Sequence, residues 1–220
     1  MKVVAINSSP NMEKGCTHMI LEPFLKGMTE AGASVELFFT DKLNINPCKG
    51  DLACWYSDTG ECSHNDDMND LLIRLGEADI WVFASPVYYY GVTGTMKILI
   101  DRLLPFTDNK TILKDGHSHH PGRNKVDNGK VVLVSSCGLY EMDNFDSTVF
   151  HIKTICKRDE NQFAGALLRP HSWVVEKMPE DIVKSAYDAG YGLITNGQMK
   201  QSDLNNISRN LVSLEEYMKL

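Results

Sequence analysis

The sequence predicts an α/β protein built on an open sheet of five parallel strands with helices on both faces. Three observations carry that prediction. Five short apolar segments recur along the chain, and stretches of helical periodicity separate them, the alternation that builds a parallel sheet. Two of the five, IWVFA and KVVLVS, are apolar through their middle without alternation, as strands buried on both faces are. Three of the loops that follow strands are rich in Ser, Gly, Pro and Asn, residues that turn a chain and leave backbone groups open.

Taken in order, Val3–Ile6 is the first strand. Thr17–Ala31 reads as a helix, because Met19, Ile20, Phe24, Leu25 and Met28 form a stripe of about 3.6-residue period. Val35–Phe39 is the second strand. Asn69–Leu75 fits a short helix that Asp66 or Asp67 caps, and Ile80–Ala84 follows as the third strand. Thr95–Leu104 is helical, Lys130–Ser135 is the clearest central strand, and Ser147–Arg158 is again a helix. A fifth strand lies within Ala164–Val175, followed by a helix over Asp181–Thr195. After a break at Asn196 and Gly197, Asn205–Met218 reads as one final helix.

Two stretches fit neither period. Residues 44–64 are turn-rich and hold cysteines, while 106–129 are polar and hold His117, His119 and His120 beside Pro121 and Gly122; connections of this length serve as walls or lids. The histidines read as loop residues rather than metal ligands. Trp55 and Tyr56 are an aromatic pair expected to anchor a subunit contact, to cover a ligand or to pack against the sheet edge.

At 220 residues and 43% hydrophobic content, the chain has enough apolar surface for one domain spanning 1–220. A formal charge of −7 argues against a nucleic-acid partner. No run of eighteen apolar residues occurs, and no signal-peptide pattern follows Lys2, so a cytoplasmic protein without a membrane partner is expected. Six cysteines in a chain of this size read as reduced thiols.

In a parallel sheet, the loop after a strand sits at the strand's carboxyl end, and the next helix aims its free N–H groups at it. SSPNMEKGCT therefore brings Ser8, Ser9, Asn11, Gly15 and Thr17 to a place where hydroxyls, an amide and backbone donors can encircle an anion. The spacing matches neither the dinucleotide fingerprint nor the P-loop, so a monophosphate is the expected guest; an ordinary capped turn is the plainer alternative. ASPVYYYGVTGTMK follows the third strand. Pro86 stiffens the exit, Gly91 and Gly94 tighten the path, and Tyr88, Tyr89 and Tyr90 offer aromatic surface for a flat heterocycle or for packing. SSCGLYEMDNFD follows the fourth strand, with Cys137 and Gly138 at the bend and Tyr140 expected to reach over the site. Three carboxyl-end loops converging on one crevice are a stronger signal than any one of them.

Together SSPNMEKGCT, CKGDLACW, SPVYYYGVTGTMKILIDR and SSCG resemble the NAD(P)H-dependent FMN reductase group of flavodoxin-like proteins and its iron-sulfur flavoprotein branch. The resemblance implies a flavodoxin-like three-layer sandwich with sheet order 2-1-3-4-5, one FMN per subunit, NADH or NADPH as electron donor, and a homodimer or higher homo-oligomer. It assigns Ser9, Asn11, Gly15, Cys16 and Thr17 to the phosphate loop, with Lys14 as a further contact. Pro86, Val87, Tyr88, Tyr90 and Gly91 match the segment that holds the ring and ribityl chain, and Cys137 and Gly138 the loop beside the ring. Thr95, Lys97, Asp101 and Arg102 complete the second motif, with Lys97 and Arg102 read as structural or interfacial.

Cys48, Cys54 and Cys62 follow C-x5-C-x7-C. Where the iron-sulfur branch reads C-x2-C-x2-C, Asp51 holds the middle position, so three thiols stand where a cluster takes four ligands. The loop is expected to hold no metal, against the alternatives of a cluster completed by Asp51 or a zinc completed by His64. Cys16 sits at a helix start that favours a thiolate, and Cys156 falls in a helical core pattern. No catalytic acid or base is nominated, because the expected cofactor carries the chemistry. The reading is an FMN-dependent oxidoreductase passing electrons to a small flat acceptor such as a quinone, nitroaromatic or azo compound. A flavodoxin-like electron carrier, or a binding protein that has lost the flavin, are the other classes.

Overall fold

The computed structural model describes residues 1–57, 60–123, 129–158 and 161–220. Strands β1 (Lys2–Asn7), β2 (Ser34–Phe39), β3 (Ile80–Pro86), β4 (Ile112–Lys114), β5 (His117–His119), β6 (Lys130–Ser136) and β7 (Gln162–Arg169) follow in chain order. Five of them form one parallel sheet in the order β2-β1-β3-β6-β7, which is 2-1-3-4-5 when only sheet strands are counted. The order reverses at β1, so the first strand's loop and the loops of its later neighbours open a crevice at one edge, where α/β proteins bind ligands.

The helices are α1 (Cys16–Glu30), α2 (Ala53–Tyr56), α3 (Met68–Glu77), α4 (Gly94–Asp101), α5 (Asp146–Arg158), α6 (Glu180–Asn196), α7 (Gln201–Ser208) and α8 (Leu214–Tyr217). Alternate residues of each strand point to opposite layers. Val3, Ala5, Val82 and Val134 pack under α1, α6 and α7, while Val4, Ile6, Phe83 and Leu133 pack under α3, α4 and α5. Helices α1 and α6 touch backbone to backbone: a Cβ on Gly27 would lie 2.1 Å from the Tyr187 carbonyl oxygen, and one on Gly190 would lie 2.0 Å from that of Phe24. Only glycine fits either place. Cys156 is buried in the second layer.

Three expectations change. The final helix is two pieces, because Ser213 starts a new turn: its hydroxyl accepts from the Glu216 N–H and the Glu216 carboxylate accepts from the Ser213 N–H. The fifth strand begins at Gln162, before the expected span, stops at Arg169 ahead of Pro170, and carries a bulge where Val131 pairs with Phe163 but Val132 pairs with Gly165. The histidine segment is a hairpin, β4 paired antiparallel with β5, and it buries His119. Of the two candidate caps on α3, Asp66 meets the helix start, its carboxylate accepting from Met68 N at 3.2 Å; Asp67 instead accepts from Asn44 N at 2.6 Å. Among the described residues, no helix is long and apolar enough to cross a membrane.

Candidate functional site

At the carboxyl edge of the sheet a cavity of about 800 Å³ opens between the loops after β1, β3, β6 and β7. Ser9, Asn11, Lys14, Gly15, Cys16 and Thr17 line one part. Pro86, Val87, Tyr88 and Tyr90 line a second, and Cys137 and Gly138 a third. Gly91 does not line it. Its N–H donates to the Tyr88 carbonyl at 3.1 Å and its carbonyl accepts from Tyr88 N at 2.9 Å, which closes the tyrosine turn.

The first loop is folded by its own polar groups. Asn7 Oδ1 accepts from Ser9 N at 2.9 Å, and Ser8 turns inward, its N–H and hydroxyl both donating to the Ala84 carbonyl at 2.8 and 3.2 Å. Ser8 is thus a sheet contact, not an anion ligand. Gly15 leads into α1 with φ −79°, which any residue adopts, so its role is spatial: a Cβ there would lie 2.6 Å from Ser9 Oγ and 3.3 Å from Asn11 Cβ. The space between Ser9, Asn11 and the first turn of α1 is therefore a cradle that a side chain at position 15 would fill. The N–H groups of a helix's first turn have no intrahelical acceptor, and they carry the positive end of its dipole. Residues and space fit a phosphate. Thr17 is buried and spends its hydroxyl on Ser136 Oγ at 2.7 Å, which locks the first loop to the third.

The second loop turns sharply. Tyr89 and Tyr90 have φ of 46° and 65°, a left-handed backbone that side chains seldom adopt and that costs about 1–3 kcal/mol per residue. The turn holds because Val87 N donates to Ser136 O at 2.8 Å and Ser147 Oγ donates to Tyr90 O. Its effect is to leave Tyr88, Tyr89 and Tyr90 exposed at the cavity mouth, with Tyr89 at 99%.

The third loop meets a wall that the sequence reading missed. Trp173 lies against Gly138, where a Cβ would be 2.5 Å from the indole, and remains 80% exposed on the cavity side of the loop after β7. Ser172, Val175, Asn144, Leu139, Ser136 and Met19 also line the cavity. The signal available was the pair Pro170 and Trp173 directly after a strand. Tyr140 does not reach over the site. It packs on His171 and Tyr217 at ring distances of 5.2 and 5.4 Å, and its hydroxyl donates to Val212 O.

Burial pushes the Cys16 thiol up to about 11, against the opposing pull of Arg169, so the neutral thiol is favoured there despite the helix start. Burial likewise raises Cys137, with a bond from the Leu139 backbone opposing it. Among the described residues, no histidine or carboxylate lines the cavity.

The cysteine loop lies elsewhere. Cys48, Asp51, Cys54, Cys62 and His64 surround a space of about 10 Å³, room for a water molecule at most. The Asp51 carboxylate accepts from Ser63 Oγ at 2.7 Å and Ala53 N at 3.1 Å, and a His64 ring nitrogen is bonded to Pro47 O at 3.0 Å. Among the described residues, no three His, Cys, Asp or Glu side chains are placed to hold a metal ion. This donor set does not fit a four-ligand cluster. Trp55 is bound within the chain, stacked on His120 at 4.6 Å and donating to Thr107 Oγ1 at 3.2 Å. Arg102, expected to be structural, is: it donates twice to the Asp66 carboxylate, at 2.8 and 2.9 Å, and to Asn46 O, with both side chains buried. Lys97 pairs with Asp101 on the surface.

Fold and site together define an α/β protein with a mononucleotide-sized cavity at the switch point of a parallel sheet. The chain belongs to the NADPH-dependent FMN reductase family, whose model matches residues 1–155. It is 38% identical over 112 residues to an iron-sulfur flavoprotein of Archaeoglobus fulgidus, a match covering 51% of this chain and 50% of that one. It is 35% identical over 105 residues to an iron-sulfur flavoprotein of Methanocaldococcus jannaschii, covering 48% and 53%. The chain thus spans about half the length of the curated relatives it matches. The FMN-dependent NADH-azoreductase of Bacillus anthracis, solved in complex with FMN, superposes with a TM-score of 0.66 at 15% identity, over 89% of this chain and 99% of that one. The NAD(P)H:quinone oxidoreductase of Methanothermobacter marburgensis superposes with a TM-score of 0.61 at 18% identity, over 88% and 96%. These two likenesses are of fold.

Proposed function

We propose that this chain is an FMN-dependent oxidoreductase that passes electrons from NADH or NADPH to a small flat acceptor such as a quinone, nitroaromatic or azo compound. It works in the cytoplasm as a homodimer or higher homo-oligomer. One observation carries the reading: a single cavity joins an anion cradle at Gly15 to an aromatic mouth at Tyr88–Tyr90 and Trp173. Family membership and the FMN complex of a fold neighbour support the choice of flavin.

When bound, FMN supplies a ring that takes hydride from a nicotinamide and releases electrons to an acceptor. This chain's residues bind and orient. Ser9, Asn11, Gly15 and the first turn of α1 hold the phosphate, with Lys14 adding a positive charge. Pro86–Tyr90 and Cys137–Gly138 would flank the ring, and the exposed aromatics would sandwich flat partners. No side chain in the cavity is required to move a proton.

The test is anaerobic. Purified protein is loaded with FMN and mixed with NADH or NADPH while flavin absorbance is followed. Rapid bleaching by either donor is expected. A protein that takes up no FMN overturns the proposal, and a bound flavin that neither donor bleaches points to an electron carrier.

A further inference from the structure

Arg169, the last residue of β7, is 0% exposed, and among the described residues no carboxylate pairs with it. Its Nε donates to Pro170 O at 3.0 Å, Nη1 to Ile207 O at 2.7 Å, and Nη2 to Arg209 O at 2.6 Å and to His171 Nε2 at 3.0 Å. Leu211 N also donates to His171 Nε2, at 3.0 Å, so that nitrogen is an acceptor and the imidazole is neutral. Carbonyls and a neutral ring partner all three guanidinium nitrogens and cancel none of the charge. Burial pulls the guanidinium down to about 10, which still leaves it charged at neutral pH. Arg209, its nearest cationic neighbour, is neutralised by Asp181 at 2.9 Å; Arg169 is not. Cross-linking the tail to the sheet requires donors but no charge, and an unpaired buried ion costs several kcal/mol.

The missing anion has a place. Arg169 is the register partner of Ser136 across the sheet, Ser136 Oγ lies 2.7 Å from Thr17 Oγ1 in the first turn of α1, and the Arg169 carbonyl accepts from Cys137 N at 2.9 Å; Ser136, Thr17 and Cys137 all line the cavity. Among the described residues, the one cationic side chain that lines the cavity itself is the exposed Lys14. We propose that Arg169 is the buried counter-charge of the cofactor's phosphate and selects FMN over riboflavin from behind the cavity wall. This rests on the FMN reading above. It makes Arg169 a positioning residue that touches no ligand, and it separates two cations by screening. A salt solution masks Lys14, whereas it barely reaches a charge sealed in the protein.

The experiment titrates the flavin-free protein with FMN and with riboflavin, at low salt and at about 1 M salt. Arg169→Met is expected to weaken FMN by roughly tenfold or more at both salt concentrations while leaving riboflavin unchanged. Arg169→Lys is expected to recover most of the loss, and Lys14→Met to weaken FMN only at low salt. Equal weakening of FMN and riboflavin in Arg169→Met overturns the proposal in favour of a brace, and an unchanged FMN affinity overturns it outright. Wild-type protein that binds neither flavin removes the FMN reading and this inference together; wild-type binding with no effect of Arg169 removes this inference alone. If Arg169→Met does not fold, Arg169→Gln replaces it. If that also fails, inorganic phosphate and wild-type protein decide: a rise in Tm that survives high NaCl supports the buried cation, and a rise that salt abolishes, or none, overturns it.

Discussion

The carboxyl-edge cavity and the cysteine loop are both polar, turn-rich and supplied with residues that bind ions in other proteins, yet one is open and the other is closed on itself. The cavity measures about 800 Å³ and the space among the cysteines about 10 Å³. The difference lies in where hydrogen-bonding capacity goes. In the cysteine loop, Asp66 is consumed by Arg102, Asp51 by Ser63, and His64 by Pro47. At the cavity, glycine keeps space free, the first turn of α1 points N–H groups into it, and strained tyrosines are held outward. Residue types mark both places as candidates, but only unspent valence marks a site.

The comparison breaks most sharply at Asp66. Burial alone would raise its carboxyl, but bonds from Arg102 and Asn46 outweigh this and hold it well below the ordinary range. Asp66→Asn leaves the Arg102 charge buried without its partner and should destabilise the fold by about 3–5 kcal/mol in urea unfolding, with FMN affinity of the folded protein unchanged. The sign with pH follows. Stability from this pair is whole above about pH 4 and falls as acid protonates Asp66 toward its lowered folded value, so the acid limb should be shallower in the variant. A loss below about 1 kcal/mol would mean the loop is not locked by this pair.

Next in size is Gly15→Ala. The new methyl meets Ser9 Oγ at 2.6 Å, so FMN affinity by fluorescence titration should drop about tenfold, near 1.4 kcal/mol, while Tm moves little. Unchanged affinity would mean the phosphate lies elsewhere. Tyr89→Asn should go the other way in stability. Asn tolerates positive φ, so releasing the strain at 46° should add about 1 kcal/mol while KM for a flat acceptor rises. The smallest effect concerns His171, which burial and then Arg169 lower to about 4. Its contribution is whole above about pH 6.5 and is lost as pH falls from there toward 4, because the unfolded chain binds the proton first. His171→Gln should therefore flatten the Tm profile in that window, and an unaltered slope would assign the loss to other groups.

The sheet was legible because its central strands are buried on both faces and leave no other reading for IWVFA or KVVLVS. The first and second loops were legible through Gly15 and the tyrosine run. Trp173 was not, because a wall supplied by the fifth strand's loop has no local signature apart from position. The broken tail was readable in hindsight: Ser213 and Glu216 have the capping-box spacing, but the apolar positions Ile207, Leu211, Leu214 and Met218 drew one helix across it. The hairpin at 112–119 escaped because its residues, the apolar Ile112 and Leu113 included, are exposed apart from His119, so no alternation shows. The contacts of Trp55 within the chain were not legible for a related reason. Its partners His120 and Thr107 lie more than fifty residues on, and pattern reading sees only neighbours.

The bulge at Gly165 carries a last consequence. Before it, Phe163 faces the layer of α3, α4 and α5; after it Ala166 and Leu168 do, so the odd-even parity of β7 reverses across one residue. Gly165 accommodates the reversal with φ of 132°, and Leu167 and then Arg169 are thereby turned toward the layer of α1 and α7. Remove that single residue and the guanidinium would emerge on the opposite side of the sheet, among hydrocarbon side chains with no carbonyls to receive it. The charge environment of the crevice is thus decided by a counting irregularity four positions upstream.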